Sequence, residues 1–159
     1  MIQFNYTFML TLEQMVGRFL LALVLGAILG WERQIIHKEA GIRTCMLVAA
    51  GAALFAMVGL TLPDLMLSEA RAVSASNGAM GVVANIVVGI GFLGAGLIVK
   101  SGGHVHSLTT AAVVWAVAAV GMLAGLGLYQ MAAFAAISLT ILLYALRNVG
   151  VRREGPEKP

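Results

Sequence analysis

From Leu108 to Leu146 the chain runs 39 residues without one charged side chain. As a single helix that run would be about 58 Å long at 1.5 Å per residue, nearly twice the roughly 30 Å hydrocarbon core of a bilayer. Lipid accepts only backbones whose amides are satisfied internally, which means helices or closed barrels. The run therefore crosses twice and folds back. Gly125-Leu-Gly127-Leu-Tyr129-Gln130 offers the break, so spans are predicted over 109–126 and 129–146.

The rest of the 159 residues fits the same class. Sixty per cent are hydrophobic and 11% charged, with a mean hydropathy of +0.96, against about 25% charged in a soluble domain. Further spans are predicted over 16–31, 45–62 and 82–99. The second is stopped by Pro63-Asp64, and a polar loop follows to about Met80. The expected fold is an all-α integral membrane bundle of five helices over residues 1–147, with 148–159 a disordered tail. The first 14 residues lack the basic lead of a cleaved signal and read as a retained segment entering at headgroup level.

Five spans place the connector 32–44, the turn 100–107 and the tail on one side. Eight of the ten Lys and Arg residues fall there; Arg71 falls opposite and Arg18 within the first span. The positive-inside rule then expects the N-terminus outside and the C-terminus in the cytoplasm.

The span 82–99 is expected to be the central helix, with Gly89, Gly91, Gly94 and Gly96 as its packing face. Glycine lets two backbones approach closely in lipid, and Gly26 with Gly30 and Gly121 with Gly125, each pair four apart, offer close-packing patterns on other spans. More than one such face points to a homo-oligomer in the lipid bilayer. Gly89 to Gly94 also spells GxGxxG, but that fingerprint needs a soluble βαβ unit and an acidic residue about 20 positions on. No Asp or Glu follows within that distance, so no nucleotide site is read, and no nucleic-acid partner.

Arg18 within a span leaves two readings open, a functional charge or snorkelling to the headgroups. Asn85, at similar depth, is expected to bond across helices to Arg18 or to a carbonyl. Glu32 is expected to pair with an arginine of its own connector, with Gly41 supplying the turn before the second span. His104 and His106, with His37 or Cys45 as a third ligand, are a weak metal hint beside the plainer reading of solvated loop histidines, and no metal or cofactor is assigned. The phosphate-loop, HExxH and GxSxG patterns are absent and no carboxylate pair lies inside a span, so an enzyme is not expected.

These residues resemble the membrane domain of the MgtC/SapB family from about Arg18 to Leu146. The resemblance is carried by Gly30-Trp-Glu-Arg-Gln34, Ala40-Gly-Ile-Arg-Thr44, Gly89-Ile-Gly-Phe-Leu-Gly-Ala-Gly96, Leu108-Thr-Thr-Ala-Ala112 with Trp115, and Gly125 to Tyr129. It implies a five-span bacterial inner-membrane protein without catalytic activity, linked to low magnesium, acid stress and survival in host cells. Some members act as regulators of a membrane ATPase, either the F-type ATP synthase or a magnesium P-type ATPase. The implied functional residues are Glu32, Arg33, Gly41, Arg43, Thr44, Thr109 and Thr110. The chain looks like the short form, without the soluble C-terminal domain of longer members. It also lacks the family's arginine in the lead-in to the central helix, with Gly81 near its place. It carries His106-Ser107 where arginine is common, making His106 a candidate acid-responsive group. The expected function is a non-enzymatic regulator acting through intramembrane contacts; the alternative is a small Mg²⁺ channel or carrier.

Overall fold

The computed structural model describes residues 10–65, 69–101 and 104–147. The expectations for the first nine residues and for the tail 148–159 lie outside them. The chain is an all-α bundle with one small hairpin. Its elements are α1 (Leu12–Ile35), α2 (Ile42–Leu65), α3 (Glu69–Leu97), β1 (Val99–Ser101), β2 (His104–His106), α4 (Leu108–Gly125) and α5 (Tyr129–Leu146). All five helices contain a window long and apolar enough to cross a membrane.

The helices run past the apolar runs. α1 starts at Leu12 because Thr11 and Gln14 close a capping box, each side chain bonding the other's backbone N–H and satisfying two orphan donors. At its other end Glu32, Arg33 and Gln34 belong to the last turns of the helix and not to the connector. α1 stops in a Schellman arrangement: His37 N–H donates to the Gln34 carbonyl (3.2 Å) and Lys38 N–H to the Arg33 carbonyl (3.0 Å). His37 takes the left-handed position, φ 52°, that glycine ordinarily fills. The 63–80 stretch read as a loop is largely helix: α2 continues through Pro63 to Leu65 and α3 begins at Glu69. Alanines, Glu69 and Arg71 favour helix there, so α3 carries a polar extension ahead of its apolar window Met80–Leu97.

The 108–146 run folds back between Gly125 and Tyr129. Gly127, at φ 83°, makes the second Schellman turn: its N–H bonds the Ala124 carbonyl (3.0 Å) and Leu128 N–H the Leu123 carbonyl (2.9 Å). The turn before α4 is an antiparallel hairpin, with Val99 opposite His106 and Ser101 opposite His104.

The core overturns one expectation. The central helix is α2, not α3. α2 packs between α1 and α4, and its small buried residues Cys45, Ala49 and Ala53 are shared by the core with Leu25, Leu29, Val113, Val117 and Val120. Two glycine pairs grip it from opposite sides. A Cβ on Gly26 would lie 2.6 Å from the Cys45 carbonyl oxygen, and one on Gly30 2.6 Å from Ile42 Cα. On the other flank Gly121 abuts the Ala49 backbone and Gly125 the Ala53 backbone. Dispersion between closely approaching backbones is what holds such seams in lipid. α3 lies at the edge: 11% of its apolar window is buried, against 44% for α2 and 56% for α4.

Candidate functional site

Two polar contacts pin α1 to α4, one at each end. Arg18 near the start of α1 donates through Nη1 to the Gly125 carbonyl at 2.8 Å and through Nε to the Tyr129 hydroxyl at 3.2 Å. Arg33 near the end of α1 donates through Nη2 to Thr110 Oγ1 at 2.7 Å. The arginines are 15 residues apart, as are Thr110 and Gly125, so two antiparallel helices are matched over about 22 Å. Arg18 is 8% exposed, which removes the snorkelling reading. Its guanidinium caps the C-terminus of α4, where orphan carbonyls and the helix dipole favour a cation. A Cβ on Gly127 would sit 2.9 Å from Arg18 Nη2, so glycine there serves both the turn and the arginine. Asn85 is elsewhere, exposed on α3 and lining a groove against α2; it does not meet Arg18.

The Arg33 end is the richer one. Thr110 Oγ1 accepts from Arg33 and donates onward to Glu39 Oε2 at 3.3 Å, while Ser107 Oγ donates to Glu39 Oε1 at 3.0 Å. Glu32 faces Arg33 with Oε2 3.9 Å from Nη1, both side chains sealed from solvent. This corner joins α1, the α1–α2 turn and the start of α4 through Glu32, Arg33, Thr110, Glu39 and Ser107. Glu39 stands at the N-terminus of α4, where a carboxylate is favoured. Bonds from its own backbone N–H and from the Ser107 and Thr110 hydroxyls, with Lys38 beside it, hold its carboxyl below the usual 4.5. Ser107, committed to Glu39, makes no side-chain cap for α4 and takes a left-handed φ of 65°. Two strained non-glycine residues, His37 and Ser107, thus flank one corner, a clustering typical of functional sites.

Three of the sequence blocks converge here. Glu32 and Arg33 are interior; Gly41 packs on the Gln34 side chain. Arg43, Thr44 and Thr109 are exposed in the first turns of α2 and α4. His106 is exposed on β2 opposite Val99, outside the hydroxyl–carboxylate network. Sequence reasoning does not single out Glu39, Ser107, Gly127 or Tyr129 as site residues. Only the offset of Thr110 from Ser107, one helical turn, hints that both could reach one partner. Strand alternation sets His104 and His106 on one face of the hairpin. Cys45, on α2, is wholly buried against Gly26 and Gly30 of α1 and cannot join them. Among the described residues no three His, Cys, Asp or Glu side chains gather as a metal site.

The fourth block faces outward. A Cβ added to Gly89, Gly91 or Gly96 would meet nothing within 4 Å, and one on Gly94 would make only an ordinary 3.8 Å contact with the Ala111 side chain. Among the described residues Gly89, Gly91 and Gly96 line no seam, whereas Gly94 is buried against Ala111 of α4. Beside them Val88 and Phe92 are 70% and 82% exposed, and a groove of about 650 Å³ runs between α2 and α3 past Leu47, Phe55, Asn85 and Leu93.

The Protein MgtC of Brucella abortus is 44% identical over 126 residues, covering 79% of this chain and 48% of its own length. The Protein MgtC of Salmonella typhimurium is 42% identical over 134 residues, covering 84% and 52%. The chain thus spans about half the length of the curated relatives it matches. No solved structure is significantly similar to it. The MgtC family profile matches residues 19–152, a stretch that holds both arginine pins but for Arg18 itself, and on that match the chain belongs to the MgtC family, as a multi-pass protein of the inner membrane.

Proposed function

We propose that the protein is a non-enzymatic regulator that binds a partner helix within the membrane through the outer face of α3. The observation that carries this is the division of its glycines. Gly26 and Gly30 of α1 and Gly121 and Gly125 of α4 are consumed in packing on α2, while Gly89, Gly91 and Gly96 of α3 are left open, as is Gly17 of α1. The exposed residues of α5 are bulky, Phe134, Ile137 and Ile141 among them, whereas on α3 exposed glycines stand beside Val88 and Phe92. Gly89 and Gly96, seven residues apart, share one side of α3, and glycine on an unpaired side suits a second helix backbone. The partner is either a second copy of the chain or a subunit of a membrane ATPase, the F-type ATP synthase or a magnesium P-type ATPase as the family resemblance implies. Adaptation to low magnesium or acid stress is the corresponding role. The charge distribution supports an N-terminus outside and a cytoplasmic C-terminus, with the Arg33 corner then on the cytoplasmic side.

The test is a Gly96→Leu variant expressed at native level. Retained folding with loss of co-purified ATPase subunits or of the homo-oligomer supports the reading; unchanged association in both respects contradicts it. Mg²⁺ flux into liposomes above that of empty vesicles would replace it with the channel or carrier reading.

A further inference from the structure

Arg33 donates through Nη2 and, among the described residues, leaves Nε without a hydrogen-bond partner. Nη2 donates to Thr110, but Nη1 stands 3.9 Å from Glu32 Oε2, beyond hydrogen-bond length. Arg33 Nε and Glu32 Oε2 are both sealed, and among the described residues neither has a hydrogen-bond partner. The two residues are 3% and 5% exposed. Buried polar atoms in folded proteins nearly always bond to protein or to ordered water, and a polar contact stretched past about 3.5 Å is where a bridging water belongs.

The two atoms define their ligand. Glu32 Oε2 accepts, so the ligand must donate; Arg33 Nε–H donates, so the ligand must also accept. A metal cation would satisfy the carboxylate and face the guanidinium. An anion would do the reverse. An apolar molecule would satisfy neither. We propose that Glu32 and Arg33 hold one internal water molecule, bridging Oε2 to Nε. Two to four polar partners are what an internal water needs. The water completes a continuous polar chain from Glu32 through Arg33 and Thr110 to the exposed Glu39. It makes the corner a hydrated point inside the α1–α2–α4 junction, and does not depend on what binds α3.

The experiment is an experimental structure of the full chain in detergent or nanodisc at a resolution that shows ordered water. The expected result is a density peak within about 3.2 Å of both Glu32 Oε2 and Arg33 Nε. In Glu32→Met, which keeps the side chain's length and removes its acceptors, that peak should vanish while the Arg33–Thr110 bond remains. The proposal is overturned if the parent shows no peak, if Oε2 or Nε bonds another protein atom directly, or if the peak lies at metal-ligand distance. Persistence of the peak in Glu32→Met would overturn it as well. Should that variant fail to fold, the parent density decides alone.

Discussion

The two Schellman turns differ in one residue, and the difference is measurable. Gly127 adopts its left-handed conformation freely, whereas His37 at φ 52° carries a Cβ that costs roughly 1–2 kcal/mol there. Replacing His37 with Gly should therefore raise stability by about 1 kcal/mol, after the added freedom of the unfolded chain is set against the relief. Thermal unfolding in detergent would read it, and a lower midpoint would mean that the imidazole makes a contact worth more than the strain. At the Arg33 corner, Arg33→Met strands a buried carboxylate and should cost about 3–5 kcal/mol. Thr110→Ser, which keeps the hydroxyl, should cost far less. Glu39 sets the pH dependence. Its folded-state carboxyl titrates below the ordinary 4.5, so its contribution is fully present above that value and is lost as pH falls through the lowered one. Midpoints of the parent and Glu39→Gln should converge on acidification below about pH 4.5 and separate above it, the parent being the more stable. Parallel curves would show that the carboxylate is not what ties α4 to the turn.

At the scale of helices, the sequence displays glycine spacings on α1, α3 and α4 alike, yet only two of the three sets pack inside the chain. Spacing shows that a backbone can be approached; it does not show from which side a neighbour comes. That choice is made by α2, whose alanines at 49 and 53 and cysteine at 45 offer small surfaces on both flanks. A sequence reader drawn to the glycine-rich run 89–96 passes over so plain an alanine-rich helix. The fold-back at Gly125–Tyr129 is legible, because an uncharged run too long for the bilayer has to turn where glycines permit. The polar stretch at 63–80 misleads, since its alanines, Glu69 and Arg71 favour helix whatever the polarity of the run. Arg18 is legible as an anomaly but not as a cap, since its partners Gly125 and Tyr129 lie more than 100 residues away. Glu39 is hidden for the same reason: its partners Ser107 and Thr110 are 68 and 71 residues distant.

The whole molecule is a bundle clamped at both ends by arginines of α1 and packed tightly around α2, with α3 laid loosely along one side. Its rigid part and its open part are therefore carried by different glycines. The measurement that tests this division most directly is the yield of folded, monodisperse protein in detergent for Gly121→Leu beside Gly91→Leu. A side chain at 121 meets the Ala49 backbone, while one at 91 meets nothing within 4 Å. The account predicts that Gly121→Leu is lost to aggregation, at a cost above the roughly 1–3 kcal/mol typical of overpacking, and that Gly91→Leu purifies like the parent. Equal survival of both, or loss of the variant at 91 alone, would contradict it.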